Sequence, residues 1–270
     1  MCIRDRSRYT RNLIVDNENH LLQSRDYFSG SMIDLFYSTS KVSFKDNPIF
    51  LSAALSFPFK GIDIENDSYQ AFIDLNPSQK EAVNTVRQEM LELNAHVCHA
   101  LEQKNITPIV HPPHLWAKNT GPSFDGNLNR FNHQEQGQVH VTFGDVVNVE
   151  GDEAFGILSG DDLVVRLAVE LPRVQRLVFA IKGVDGILRL PPDVAKDNDL
   201  IENWHPDIEF EGTHQSQIDV TGGIGLKAAR GALVASHEID VVMVNGDYTE
   251  RVLDAMLGNA VRGTRITAKQ

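Results

Sequence analysis

Four glycine-containing turns hold most of the residues in this 270-residue chain whose types and spacing could do chemistry. In open α/β sheets, small ligands bind at the carboxyl ends of strands, where glycines expose backbone amides and helix N-termini. One Gly-Asp pair is usually only a turn, so the recurrence of such turns is what indicates an anion-binding edge. The turns occupy residues 144–147, 159–161, 182–186 and 219–223.

The turn at residues 219–223 favours phosphate binding most strongly. Two glycines let the backbone approach an anion there, and the helix predicted to follow directs the positive end of its dipole to the same place. Lys227, one turn into that helix, would place a point charge on a phosphate, although a solvated helix lysine is the alternative. Asp145 and Asp161 are expected near the same edge, where carboxylates position lysines, hold the magnesium of a nucleotide, or only cap a helix.

Hydrophobic periodicity predicts the elements that must position these turns. Strands that are apolar on both faces belong inside a parallel sheet covered by helices. The pattern therefore predicts an α/β fold, a three-layer α/β/α sandwich with an open, mainly parallel sheet. Strands are predicted near residues 12–15, 48–55, 106–110, 139–143, 176–181 and 240–245, helices near residues 27–37, 79–103, 161–171, 224–236 and 248–257, and a polar surface excursion at residues 191–214.

Composition excludes several classes of protein. The chain has 25 Lys and Arg against 37 Asp and Glu, a net charge of −12, and we find no segregated basic face, so nucleic acid is an unfavourable partner. No apolar run approaches the roughly 18–20 residues of a membrane-spanning helix, so no membrane partner is expected. Two cysteines are too few for a disulfide framework, which favours a reducing, cytoplasmic setting.

The first six residues, Met-Cys-Ile-Arg-Asp-Arg, resemble a translated sequencing adapter rather than a signal peptide. We therefore expect residues 1–6 to be a non-native leader and residues 7–270 to form the domain.

Taken in order, the motifs resemble the amino-acid kinase superfamily, and most closely its isopentenyl phosphate kinases. The resemblance implies the three-layer α/β/α sandwich predicted above. It also implies an activity, the Mg²⁺-dependent transfer of the γ-phosphoryl group of ATP to a small-molecule phosphate, isopentenyl phosphate. It also implies an acceptor-binding lobe at residues 7–165 and a nucleotide-binding lobe at residues 166–270. The motifs lie at residues 93–101, 144–147, 159–161, 184–186, 219–223 with Lys227, 245–246 and 261–267.

The same resemblance implies roles for individual residues. Lys227 would neutralise the transferring phosphate and Asp161 would orient the cationic groups, with no metal held by the protein alone. The nucleotide side would be lined by Lys182, Gly183, Asp185, Gly186, Thr221, Gly222, Gly223 and Lys227. The acceptor side would be lined by Gly144, Asp145, Ser159 and Gly160.

Three departures from the family pattern leave alternatives open. The family follows its first strand with Lys-Leu-Gly-Gly-Ser, whereas residues 16–20 here contain no lysine or glycine. The family's acceptor-side histidine falls on Phe57, and Lys182-Gly183 replaces a Thr-Asp pair. The N-terminal region could be chimeric, or Lys60 or Lys182 could supply replacement charge. The alternatives to the kinase are a non-catalytic nucleotide- or phosphate-binding paralogue and a relative with a carboxylate or nucleotide acceptor.

Two smaller features complete the expectations. His111 and His114 resemble a metal pair, but the two prolines between them keep the chain extended, so loop histidines or substrate contacts are favoured over zinc. The apolar face of the helix predicted at residues 79–103 is either core or the interface of a homodimer.

Overall fold

The computed structural model describes residues 11–16, 50–52, 77–132, 137–151, 154–210 and 223–269, the first two ranges through their backbone. The leader at residues 1–6, the helix predicted at 27–37 and the turn residues 219–222 lie outside the described residues.

An eight-stranded sheet forms the centre of the described part of the chain. Its strand order is β10-β12-β11-β9-β1-β2-β6-β3. Strands β2, β3, β6, β9 and β11 run in one direction, and β1, β10 and β12 run in the other. The predicted mainly parallel sheet is therefore confirmed, with an antiparallel strand at its middle. The strands are β1 (Arg11–Asp16), β2 (Phe50–Ser52), β3 (Thr107–Val110), β6 (Gln138–Thr142), β9 (Val174–Ile181), β10 (Asn203–Trp204), β11 (Asp240–Asn245) and β12 (Thr264–Ile266).

The two apolar strands β9 and β11 pair in parallel from Asp240 opposite Arg176 to Asn245 opposite Ile181, so they end side by side. Residues 177–181 and 241–245 are buried throughout. Continuous burial of both faces is what the uninterrupted apolar sequence predicts for strands covered by helices.

Four α-helices of the described chain pack against this sheet, and each lies within two residues of its predicted position. Ser159 caps the start of the second helix, and Gly258, in the left-handed conformation at φ +78°, ends the fourth. The helices are α1 (Pro77–Glu102), α2 (Gly160–Glu170), α3 (Gly223–Ala235) and α4 (Thr249–Leu257).

A second, four-stranded sheet was not predicted, because its strands are only two to four residues long. Its order is β5-β4-β7-β8, formed by β4 (Ala117–Lys118), β5 (Asp125–Gly126), β7 (Asp145–Asn148) and β8 (Phe155–Leu158). Gly144 therefore lies between a strand of the large sheet and a strand of the small one. The predicted surface excursion at 191–214 also needs correction, since it contains the edge strand β10.

One hydrophobic cluster runs through the described chain, with Phe124, Phe131, Phe143 and Phe179 as its largest fully buried side chains. The lobe boundary predicted between residues 165 and 166 falls within α2, and the division into lobes stays a prediction. None of the helices in the described ranges is both long enough and apolar enough to cross a membrane.

Candidate active site

The carboxyl ends of the parallel strands bring two of the four predicted turns, 144–147 and 182–186, to one edge of the large sheet. His111 follows β3, Gly144 lies two residues after β6, Lys182 follows β9, and Gly246 follows β11. Because parallel strands end at the same edge, residues distant in sequence become neighbours there.

Lys227 and Asp161 meet in a buried ion pair. The Lys227 Nζ lies 2.7 Å from Oδ2 and 3.0 Å from Oδ1 of Asp161. The two side chains are each only 4% exposed, so Lys227 is not a solvated helix lysine. Removing two charges from water costs several kcal/mol per ion, which only close, well-aligned pairing offsets. The geometry fixes the ammonium group at the first turn of α2.

A second ion pair lies beside the first and joins the same two helices. Arg230 Nε donates to Asp162 Oδ1 at 2.7 Å. Sequence reasoning missed Arg230. The available indication was that two adjacent acids, at 161–162, could each pair with one of two cations spaced three positions apart on one face of α3. Together the pairs fix the middle of α3 against the start of α2.

Ser159 acts locally as the N-cap of α2. Its Oγ accepts from the Asp162 amide at 3.1 Å and donates to the Asp162 carboxylate at 2.9 Å. The helix dipole therefore begins at Gly160, beside the Lys227–Asp161 pair.

Gly144 allows two backbone segments to lie close together. A Cβ on Gly144 would lie 3.2 Å from the Gly160 amide nitrogen and 3.3 Å from the Leu158 carbonyl oxygen. This contact joins the end of β6 to the start of α2, so the structure brings Gly144, Ser159, Gly160 and Asp161 together.

Asp145 is enclosed by protein groups. Its Oδ2 accepts from the His114 backbone amide at 3.0 Å and from His114 Nδ1 at 2.6 Å, and its Oδ1 accepts from the Val146 amide at 2.8 Å. Asp145 is 1% exposed. Sequence inspection missed this pair because the carboxylate lies 31 positions from the histidine.

His111 points into the core. Its Nε2 lies 2.7 Å from His140 Nδ1, and its ring packs on Phe131 with centroids 4.4 Å apart. Burial, followed by the charges of His140 and Arg130, lowers the pKa of His111 to about 3, so the imidazole is neutral in the folded chain. The two histidines expected as a pair therefore have separate environments.

Asp185 forms the centre of an ion-pair cluster at the end of β9. It accepts from Arg251 Nη1 at 2.5 Å, from Arg262, and from Asn245 Nδ2 at 3.3 Å. Burial alone would raise the pKa of Asp185, but the hydrogen bonds from Arg262, Arg251 and Asn245 outweigh it and lower this pKa. Asp185 therefore ties the 182–186 turn to α4 and to the C-terminal segment.

The glycines of that turn differ in their surroundings. Gly183 has a φ of +79° with open space around its Cα, and its amide donates to Asp247 Oδ2 at 3.0 Å. Gly186 is packed so closely on Thr264 that a Cβ would come within 2.9 Å of the Thr264 amide. Lys182 is exposed. Two predicted nucleotide-side residues, Thr221 and Gly222, lie outside the described residues. Phe57, at the family's acceptor-side histidine position, and Lys60, a possible replacement charge, also lie outside them.

The first strand has an orientation that the resemblance did not imply. Strand β1 pairs antiparallel with β9, from Arg11 opposite Ala180 to Asp16 opposite Val174. Asp16 therefore lies beside the beginning of β9, at the edge opposite to the one where β9 and β11 end.

The carboxylates of the described site are already paired with cations or amides. Asp161, Asp162 and Asp185 bind Lys227, Arg230 and the arginines of the cluster. Within the ranges that the structure describes, no three His, Cys, Asp or Glu side chains form a group able to hold a metal ion. Because these carboxylates already bind cations, they do not fit the role of ligands to a magnesium ion held by the protein alone.

Comparisons with known proteins agree on one family. The model of the amino acid kinase family matches residues 50–245. An isopentenyl phosphate kinase from Methanothermobacter thermautotrophicus is 30% identical over 185 residues, which is 66% of this chain and 68% of that protein.

Solved structures show the same fold. An isopentenyl phosphate kinase substrate complex superposes with a TM-score of 0.62 at 22% identity, covering 90% of this chain and 92% of its own. The T. acidophilum isopentenyl phosphate kinase product complex superposes with a TM-score of 0.59 at 23% identity, covering 87% of this chain and 89% of its own. With the family model spanning most of the chain, and the α/β fold and buried Lys227–Asp161 pair described above, the chain belongs to the amino acid kinase family and is a phosphotransferase.

Proposed function

We propose that this chain transfers the γ-phosphoryl group of ATP to isopentenyl phosphate, forming isopentenyl diphosphate and ADP. The observation that carries the proposal is the buried Lys227–Asp161 pair at the sheet edge. The choice of acceptor is supported by the isopentenyl phosphate kinase that is 30% identical to this chain.

The reaction needs positioning and charge neutralisation more than a covalent nucleophile. An oxygen of the acceptor's phosphate forms a bond to the γ-phosphorus as the bond between that phosphorus and the β–γ bridging oxygen breaks. Negative charge then spreads over the transferring group and the ADP leaving group. A lysine ammonium that is already desolvated and held by Asp161 stabilises this charge without reorganising at the moment of reaction.

The nucleotide side is proposed at the 182–186 turn and the beginning of α3, with Lys182, Gly183, Asp185, Gly186, Thr221, Gly222 and Gly223. Open space at Gly183 is compatible with the approach of a phosphate or ribose to the backbone. Asp185 would act there indirectly, because it is bound to Arg251 and Arg262. Magnesium would arrive bound to the nucleotide phosphates, as it commonly does in kinases.

The acceptor side is proposed at Gly144, Asp145, Ser159 and Gly160. The Gly144–Gly160 contact places this backbone at the N-terminus of α2, where the helix dipole favours an anion. A cytoplasmic setting is proposed because ATP and a phosphorylated small molecule are its substrates.

The test is acceptor-dependent release of ADP from Mg-ATP, measured with and without isopentenyl phosphate. We expect the chain to release ADP only with the acceptor, and Lys227→Met to lower kcat at least about 100-fold. Lys80→Met, which removes a lysine on α1, is the matched control and should leave kcat within about twofold. A wild-type chain that binds ATP but releases no acceptor-dependent ADP would contradict the proposal.

A further inference from the structure

We infer that His114, positioned by Asp145, binds the phosphate group of the acceptor through its Nε2 atom. The identity of the acceptor rests on the proposed function, whereas the binding of a phosphate monoester rests on the geometry of the two residues.

The protonation pattern of His114 follows from its partner. Asp145 Oδ2 is an acceptor and lies 2.6 Å from His114 Nδ1, so Nδ1 carries a proton. In the neutral ring, Nε2 then carries a lone pair directed away from Asp145. Among the described residues, this Nε2 has no hydrogen-bond partner.

The ring is held in place by more than one contact. The same carboxylate oxygen accepts from the His114 backbone amide at 3.0 Å. The carbonyl oxygen of His111 accepts from Trp116 Nε1 at 3.2 Å and from Thr142 Oγ1 at 2.9 Å. The two prolines between the histidines restrict the backbone further. A side chain locked in this way binds a ligand without losing additional conformational entropy.

The position of His114 leaves room for a small ligand. His114 lines a cavity of about 120 Å³ together with Lys118 and Asp125, so the lining contains one cationic and one anionic side chain. Its partner Asp145 directly follows Gly144, where an added Cβ would lie 3.2 Å from the Gly160 amide nitrogen at the start of α2. His114 is therefore hydrogen-bonded to Asp145, which is the sequence neighbour of Gly144 on the proposed acceptor side.

The contact is a hydrogen bond and involves no chemical step. A monoanionic phosphate monoester donates its hydroxyl hydrogen to the Nε2 lone pair, while Nδ1–H remains bound to Asp145. No covalent bond forms or breaks.

The decisive variant is His114→Asn. The asparagine amide nitrogen can replace Nδ1 as the donor to Asp145, so the loop keeps its anchor while Nε2 is lost. We expect the Kd and KM for isopentenyl phosphate to rise about 10- to 100-fold, with the Kd of a non-hydrolysable ATP analogue unchanged. His114→Gln, whose side-chain amide can reach the Nε2 position, should recover part of the affinity. His237→Asn, at an exposed histidine, is the matched control.

Calorimetric binding of isopentenyl phosphate and of methyl phosphate separates the outcomes. Weaker binding by His114→Asn supports the inference even if the wild-type chain turns over no ATP, in which case only the proposed function fails. Wild-type turnover with an unchanged KM and Kd in His114→Asn shows that His114 only anchors the loop and overturns the inference. A wild-type chain that binds neither phosphate monoester also overturns it.

Discussion

The Lys227 ammonium binds both carboxylate oxygens of Asp161, at 2.7 and 3.0 Å, across 66 positions of sequence. One residue comes from the first turn of α2 and the other from the first half of α3. The pair therefore joins two helices and fixes a cation at the edge where the parallel strands end.

Breaking this pair from one side should cost more than removing it from both. Asp161→Asn leaves a buried lysine without its counter-charge, so we expect a loss of about 3–5 kcal/mol in the free energy of unfolding. Lys227→Met alone leaves the Asp161 carboxylate without its counter-charge and should be similarly costly, whereas the Asp161→Asn/Lys227→Met double variant should be less destabilised than either single variant. Urea unfolding of the four proteins measures the coupling, and strictly additive values would show that the pair does not interact.

Gly144→Ala should disturb the acceptor side while the chain still folds. The added methyl group meets the Gly160 amide at 3.2 Å and the Leu158 carbonyl at 3.3 Å, so the start of α2 must shift. We expect about 1–3 kcal/mol of destabilisation and a raised KM for the acceptor. Gly225→Ala, where nothing lies within 4 Å, is the stability control and should keep or raise the unfolding temperature. An unchanged KM in Gly144→Ala would contradict the proposed acceptor position.

Acid should destabilise the chain through His111. Its pKa in the folded chain, about 3, lies below the ordinary value of 6.5, so the unfolded chain takes up the proton first as the pH falls. The stability that this group contributes is complete above pH 6.5 and is lost progressively towards pH 3, at about 1.4 kcal/mol per pH unit.

His111→Gln tests the acid effect, because its amide nitrogen can still donate to His140 Nδ1 but does not titrate. Urea unfolding at pH 7, 6 and 5 should show a shallower loss of stability in this variant than in the wild-type chain. Identical slopes would show that other groups cause the acid sensitivity.

Cys98 should react slowly with alkylating reagents. Burial, with a smaller contribution from Glu102, raises the pKa of its thiol to about 12, and only the thiolate is nucleophilic. In a Cys2→Ser background, alkylation by iodoacetamide at pH 8 should be at least about 100-fold slower in the native chain than in urea. Comparable native and urea rates would mean that the thiolate forms readily in the fold.

The elements that could be predicted are those whose own residues carry a local pattern. Strands β9 and β11 were predictable because both of their faces are apolar, and α4 ended where Gly258 follows it. Strands β4, β5, β7, β8, β10 and β12 were missed because two to four residues carry no periodicity. The interpretation of Asp145 as an acceptor-side group overlooked its partner His114, because the two residues are 31 positions apart and nothing near either one in the sequence indicates the pairing.

The sequence alone determined the four helices of the described chain and six strands of the large sheet, β1, β2, β3, β6, β9 and β11, because apolar runs, glycines and prolines act over a few residues. Only the tertiary structure decided which side chains meet: Asp161 with Lys227, Asp145 with His114, and Asp185 with Arg251 and Arg262. It also decided that β1 runs antiparallel to β9, which places Asp16 at the opposite edge. Strand direction and ion pairing depend on how distant segments pack, and no short segment of the sequence determines the free energy of that packing.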